Sequence, residues 1–233
     1  SGGVNLGHGN TIGDISAEEG LTFEGDFIVS GGSTLGDLEG TSFDQNDGRL
    51  GSGNLYFGGE FSLGSGTTAD VIQGKGITFS GDVFLGDNAR IEGDGFRSFI
   101  AFGPNDLVFN SDFTLGSGAF VAGFQNLEFA GEEAILFSGA VVLESDSVMG
   151  GVTANGPIEF KSTVELREGS RISGIDPSFG NLVFEDSLSL SSGASIGDIR
   201  GSGTATFADI SLRNDASIES IIASGDISFQ SIE

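Results

Sequence analysis

The chain has 233 residues, including 41 Gly and 21 Phe but no Cys or Trp, and its formal net charge is −25. This charge disfavours binding to nucleic acid or to an anionic membrane, since both require basic surfaces. The absence of Cys excludes disulfides, thiolate nucleophiles and Cys-based metal sites. No apolar run approaches the length of a membrane span, so we expect no membrane insertion.

A pattern of apolar residues recurs from the start of the chain to its end. Its first complete copy has two alternating pairs and a third pair spaced by three residues: Leu21/Phe23, Phe27/Val29 and Leu35/Leu38. Alternating pairs indicate short strands, and the Gly and Ser residues between them indicate corners. The apolar residues do not recur with the 3.6-residue period of a helix. The pattern therefore predicts an all-β chain in which each copy contributes three short faces.

The Phe of the first alternating pair is the most regular position of this repeat. It recurs as Phe23, Phe57, Phe79, Phe109, Phe137, Phe160, Phe184, Phe207 and Phe229. The spacings are 34, 22, 30, 28, 23, 24, 23 and 22 residues, and the shorter ones equal one turn of a three-sided parallel β-helix. We predict a single β-solenoid domain over residues 1–233, with about nine coils of 22–24 residues around an internal ladder of Phe rings.

Three coils are longer than the rest. We place the extra residues at 39–54, 93–106 and 125–134, always in the corner between the third face and the next Phe strand. These insertions carry a candidate loop patch of Phe and Arg residues: Phe43, Arg49, Phe96, Arg97, Phe99, Phe102 and Phe129. Either the Phe side chains fold back over the flank of the rod, or the patch binds a glycan or a neighbouring subunit.

Four successive coils carry an acidic residue three positions after the ladder Phe. These residues form a candidate calcium row: Asp26, Glu60, Asp82 and Asp112. Stacked carboxylates repel one another unless cations neutralise them. The alternative is a solvated acidic edge, because the sequence has neither an EF-hand loop nor the Gly/Asp nonapeptide of calcium-binding β-rolls. No other cofactor is indicated.

Enzymatic chemistry has little support in the sequence. His8 is the only histidine and lies at a predicted corner, so a Ser-His-Asp triad has one candidate base and no partner indicated by spacing. Acidic residues occur at so many corners that no glycosidase pair can be singled out. Ice binding would need repeated Thr-x-Thr pairs, and only Thr204 and Thr206 fit. We expect a protein that is not an enzyme.

Neither end of the repeat carries a polar or helical cap. The first apolar residues, Val4, Leu6 and Ile12, match the second and third faces of a coil; the last, Ile227, Phe229 and Ile232, match its first face and the start of its second. We therefore expect the two partial coils to complete one another, so that copies of the chain stack head to tail. Chance alignment, or cutting from a longer adhesin, would produce the same ends.

The repeat motif φ-x-F-x-x-x-φ-x-φ, as in "LVFEDSLSL" at 182–190, resembles that of secreted bacterial surface proteins with a right-handed parallel β-helix. Autotransporter passengers and haemagglutinin-type adhesins are examples. The resemblance is one of architecture over nearly the whole chain, and it implies an extracellular or cell-surface location. The leading hypothesis is an exported structural protein that assembles with itself into a filament or surface layer. The alternative is an adhesin rod whose inserted loops bind a glycan or cell-surface receptor.

Overall fold

A computed structural model describes residues 3–17, 19–40, 43–44, 49–50, 53–93, 98–101, 106–126 and 134–232, with only the backbone at 43–44 and 49–50. This part of the chain is all-β, contains no helix and winds into a parallel β-solenoid, as the repeat predicts. Within the described residues, every strand pairing is parallel except that of one short hairpin formed by Phe43–Asp44 and Arg49–Leu50.

The strands of the first half are short and separated by corners. In chain order they are β1 (Val4–Leu6), β2 (Thr11–Ile12), β3 (Ile15–Ser16), β4 (Gly20–Phe23), β5 (Phe27–Val29), β6 (Thr34–Leu35), β7 (Leu38–Glu39), β8 (Phe43–Asp44), β9 (Arg49–Leu50), β10 (Asn54–Phe57), β11 (Phe61–Leu63), β12 (Thr68–Ala69), β13 (Ile72–Gly74), β14 (Ile77–Phe79), β15 (Val83–Leu85), β16 (Arg90–Ile91), β17 (Phe99–Ala101), β18 (Leu107–Phe109) and β19 (Phe113–Leu115).

From residue 120 onward, some neighbouring strands merge into longer ones, while others still have three residues. The remaining strands are β20 (Phe120–Asn126), β21 (Ile135–Phe137), β22 (Val141–Leu143), β23 (Val148–Ala154), β24 (Ile158–Phe160), β25 (Val164–Leu166), β26 (Arg171–Pro177), β27 (Leu182–Leu190), β28 (Ser195–Gly201), β29 (Ala205–Leu212), β30 (Ser217–Ala223) and β31 (Ile227–Ile232).

The strands form three faces. Face one contains β4, β10, β14, β18, β21, β24 and the first parts of β27, β29 and β31. Face two contains β1, β5, β11, β15, β19, β22, β25 and the second parts of β27, β29 and β31. Face three contains the pairs β2/β3, β6/β7, β12/β13 and β16/β17, followed by β20, β23, β26, β28 and β30. Faces one and three are thus stacked in nine layers and face two in ten, in agreement with the predicted number of about nine coils.

The ladder of Phe rings is confirmed. All eight neighbouring pairs from Phe23 to Phe229 are stacked, with ring centroids between 4.6 and 5.2 Å apart. This spacing is close to the strand separation in a β-sheet, so each ring lies over the ring of the coil before it. Shorter stacks join the ladder from the other faces, Phe27 with Phe61 at 5.4 Å and Phe99 with Phe124 at 5.0 Å.

One corner of every coil contains a residue in the left-handed backbone region. Six of the nine are Gly, with φ near +66°, and three are Asn88, Asp146 and Asp215, with φ of 56–59°. Only Gly, Asn and Asp adopt this conformation readily, since other side chains clash with the backbone. This requirement explains why the sequence repeats "SGG", "GDN" and "RND" at that corner and allows the chain to turn from face two to face three without changing the rise per coil.

The position of the second insertion differs from the prediction. Ala69 and Ile72 stand three residues apart, but their partners in the next coil, Ile91 and Phe99, stand eight residues apart. Phe99 therefore occupies the position that the repeat predicts three residues after Ile91. The extra residues of 93–106 are therefore divided between the middle of face three and the following corner. The prediction that all insertions share one corner is wrong for this coil, because the aromatic side chain that fits the core comes five residues late.

We expect the Phe ladder to dominate stability. Phe109 is 1% exposed, stacks on Phe79 and Phe137, and makes edge contacts with further rings. Phe109→Ala should lower the free energy of unfolding by about 3–5 kcal/mol, as large aromatic deletions in cores do. Chemical denaturation followed by circular dichroism measures the loss. The matched control is Phe179→Ala, because Phe179 is 71% exposed; equal losses in the two variants would contradict a stabilising ladder.

Candidate functional site

The first layer of the described chain exposes part of the apolar core. Its inward side chains pack against the next layer but remain half-buried: Val4, Leu6, Ile12, Ile15, Leu21 and Phe23. Residues at the same positions one layer further in, such as Phe27 and Phe57, are fully buried. The difference arises because a layer is covered only by the layers next to it, and the first described layer has such a neighbour on one side only.

The last layer exposes more. Ile227 and Phe229 are each 40% exposed and Ile232 is 62% exposed, whereas Ile158 and Phe160 at equivalent interior positions are 0% exposed. Leu212, at 37%, extends this apolar surface, since it pairs with the buried Leu190, whereas Ile222, at 56%, pairs with the exposed Arg200 and faces outward from the rod. Sequence reasoning did not place Leu212 in the interface, although it already fitted the repeat.

Backbone groups are also open at both ends. Within the described residues, β1 pairs with β5 alone and β31 pairs with β29 alone, whereas interior strands pair on both sides. An uncovered strand of this kind presents free N–H and C=O groups to any further strand. The structure thus brings Val4, Leu6 and Ile12 together in one open layer and Ile227, Phe229 and Ile232 together in the other, about nine layers apart.

The two open layers have the same cross-section. Phe23 stacks on Phe57 with centroids 5.1 Å apart at one end, and Phe229 stacks on Phe207 at 5.2 Å at the other. Each end therefore presents one exposed face of a Phe ring at the same point of the coil. The partial coils overlap slightly, however, because Val4 and Ile232 both occupy the first position of face two, pairing with Phe27 and Ile210.

The candidate loop patch is not assembled by the described residues. Phe99 is fully buried in face three and belongs to the core, which removes it from any accessible patch. Phe43 and Arg49 lie in the antiparallel hairpin β8–β9, where Phe43 pairs with Leu50 and Arg49 with Asp44. The other members, Phe96, Arg97, Phe102 and Phe129, lie outside the described residues.

The candidate calcium row binds backbone amides. Asp26 Oδ1 accepts a hydrogen bond from the Glu60 amide at 3.0 Å, and Asp112 Oδ1 accepts one from the Ala140 amide at 2.8 Å. Asp82 Oδ1 likewise accepts one from the Asp112 amide at 3.3 Å. In each case the donor lies in the next coil, so these carboxylates join successive coils at the corner. The described part of the chain contains no group of three or more His, Asp or Glu residues that could hold a metal ion.

Substitution of Asp112 can distinguish a structural role of the candidate calcium row from calcium binding. Asp112→Ala should lower the melting temperature, with a loss of about 1 kcal/mol, the usual net contribution of one hydrogen bond. Asp112→Asn should retain most of the stability, because its side-chain oxygen can accept the same bond. Thermal melts with and without calcium measure both effects. A calcium-dependent rise in melting temperature that Asp112→Asn abolishes would contradict the structural role.

Glu39 and Asp70 are two further acidic residues of interest, on face three near the first layers. Burial, followed by the nearby charge of Asp37, raises the pKa of Glu39 above its ordinary value of 4.5. The pKa of Asp70 is raised in the same way, by burial and then by Asp37. Since the folded state holds these protons more tightly than the unfolded chain does, ionisation of both groups destabilises the fold as pH rises.

Removing the charge of Glu39 should therefore stabilise the protein near neutral pH. Glu39→Gln keeps the oxygen that accepts a hydrogen bond from Gln73 Nε2 and removes the charge. Its melting temperature should exceed that of the parent at pH 7, and the difference should shrink below pH 4.5, where the parent glutamate is protonated as well.

Asp198→Asn is the matched control with the opposite sign. The Ser220 hydroxyl and Arg200 lower the pKa of Asp198, so its ionised form stabilises the fold. Neutralising it should lower the melting temperature at pH 7. If Glu39→Gln also lowers the melting temperature at that pH, the charge of Glu39 is not destabilising.

The remaining candidate residue is His8, in the turn between β1 and β2. It is exposed and its Nδ1 lies 2.8 Å from the Gly31 carbonyl oxygen, a contact that joins the first two coils. Across the described ranges, no helix is present that could span a membrane. Comparison of the chain with protein-family models, with curated proteins and with solved structures found no match.

Proposed function

We propose that the protein is a non-enzymatic, exported structural subunit whose copies stack head to tail into an extracellular filament or surface layer. The observation that carries the proposal is that both ends of one continuous ladder carry a Phe ring covered on one side only, the half-buried Phe23 and the exposed Phe229. A second copy is the occupant with a matching surface, because its first layer repeats the cross-section that covers every interior layer. The resemblance to surface β-helices supports an extracellular or cell-surface location.

The joint follows from the register of the coils. If a second copy continues the stack, its Phe23 lies over Phe229 and its Ile12 lies over Ile218. Its Leu6 then lies over Leu212. Full burial of such side chains is worth about 1.5–3 kcal/mol each, and the open strands add backbone hydrogen bonds. The contact joins two different surfaces, so it leaves both outer ends open and propagates.

The overlap at face two adds one requirement. In this register, Val4 of the second copy reaches the level that Ile232 already occupies above Ile210. One of the two segments must therefore leave its place when the joint forms. The core contacts of the joint come from Leu6, Ile12, Phe23 and Phe229, with Ile232 contributing only where Val4 does not.

A charge at Leu6 should stop assembly. Leu6→Lys places an ammonium group in the apolar joint, where desolvation is costly, while the interior coils stay folded because they depend on their own neighbours. The matched control is Asn5→Lys, which adds the same charge in the same strand on an exposed, outward side chain. Electron microscopy and sedimentation measure assembly, and circular dichroism measures folding.

The parent protein should form fibres with an axial repeat of roughly 43 Å, the length of nine layers at ~4.8 Å each. Normal fibres from Leu6→Lys would show that the open layers are not the joint. Isolated short rods at high concentration of the parent would favour the second candidate, an adhesin rod that binds a glycan or receptor through its loops. The hairpin β8–β9, which belongs to neither solenoid sheet and lies in the chain between β7 of face three and β10 of face one, is the observation that favours this alternative.

A further inference from the structure

A groove crosses the outer side of face one near the start of the rod. It has a volume of about 330 Å³ and is lined by residues from three successive coils: Asn54, Leu55, Tyr56, Gly76, Thr78, Asp106 and Val108. The volume lies in the range of small-ligand sites. The groove begins one layer from the first open layer, because β10 pairs with β4, but none of its lining residues belongs to either open layer or to the proposed joint.

The strands beneath the groove have no free edge. β14 pairs with β10 on one side and with β18 on the other, while β10 and β18 are covered in turn by β4 and β21. A peptide cannot add to this surface as an extra strand, because the backbone groups of these strands already pair within the sheet. A ligand must therefore be recognised by side chains.

The side chains of the groove combine one aromatic face with short polar groups. Tyr56 is 39% exposed, and its hydroxyl oxygen lies 3.2 Å from Ser80 Oγ, a contact that fixes the ring against the rod. Thr78 lies beside it in the next coil, its partner in the register of β10 and β14. Asp106 is the single charged residue of the lining and accepts a hydrogen bond from the Ala134 amide through Oδ1.

We propose that this groove binds a neutral, linear oligosaccharide. The apolar face of a pyranose ring stacks on an exposed aromatic ring, and its hydroxyl groups pair with amide, hydroxyl and carboxylate groups such as those of Asn54, Thr78 and Asp106. The three coils repeat at the strand spacing of ~4.8 Å, which is close to the advance of one sugar unit in an extended chain. The net charge of −25, together with Asp106, disfavours anionic glycans.

Tyr56 makes the test direct. It is the only Tyr in a chain without Trp, so fluorescence excited near 280 nm reports this groove alone. Titration of the full chain with cellohexaose and with N-acetylchitohexaose should give a saturable change in Tyr56 fluorescence for at least one of them. Hexagalacturonate, an anionic counterpart, should give none.

Calorimetry with the sugar that binds identifies the residues responsible. Tyr56→Ala and Thr78→Ala should each weaken binding, the first by about tenfold or more, as removal of an aromatic anchor typically does. Phe84→Ala is the matched control, since Phe84 is a 42% exposed aromatic side chain on face two, outside the groove. Circular dichroism checks that all three variants keep the solenoid.

Three results would overturn the proposal. The first is the absence of any saturable fluorescence change or heat with both neutral sugars at millimolar concentration. The second is unchanged affinity in Tyr56→Ala, or an equal loss in Phe84→Ala. The third is tighter binding of hexagalacturonate than of the neutral sugars. None of these results bears on head-to-tail assembly, which is measured independently by the Leu6 and Asn5 variants.

Discussion

The rod depends on one interaction, the in-register stacking of each coil on the next. A single coil of this length cannot bury its inward side chains, and it gains a core only when layers above and below cover it. Parallel strand pairing sets the rise per layer, and the stacked rings from Phe23 to Phe229 keep that rise through the interior. The fold is therefore a periodic object whose stability is shared among equivalent contacts.

The residues at the corners support this in-register stacking of the coils. Left-handed residues such as Asn88 let the chain turn without adding height, and carboxylates such as Asp112 accept amide hydrogen bonds from the following coil. Asn181 does the same for Thr204 at 2.9 Å. Acidic and amide side chains at the corners thus have a structural use that their charge alone would not reveal.

The sequence predicted the periodic part of the structure well. The strands of faces one and two follow from the alternation of apolar residues around the Phe that recurs in every coil. On face three, the inward positions of Ile218 and Ile221 follow from those of Ile196 and Ile199 one coil earlier. Position within a longer coil was harder to predict, because apolar side chains in an insertion compete for the same core site. Phe99 lies in the core because it is the side chain that stacks on Phe124.

The candidate site was predictable only in part. The open layers could be inferred from the repeat, since the residues that begin and end the pattern are the ones without a second neighbour. The groove beside Tyr56 was not predicted, although the repeat aligns its lining: Tyr56, Thr78 and Val108 stand one position before the ladder Phe of their coils, and Asn54, Gly76 and Asp106 stand three positions before it. The repeat shows which side chains are neighbours but not that they leave a concave surface between them. The hydrogen bonds of the acidic row were hidden because their donors lie a full coil away.

The uneven coil lengths also determine how the surface of the rod can vary. Closing the 34-residue step from Phe23 to Phe57 costs only about 0.4 kcal/mol more in chain entropy than closing a 22-residue step, since the cost rises with the logarithm of length. A corner can therefore accept a dozen new residues at little thermodynamic expense, while the ladder beneath it keeps its spacing. Evolution can replace the decoration of such a rod, and an engineer can graft epitopes or enzymes onto it, without redesigning the core.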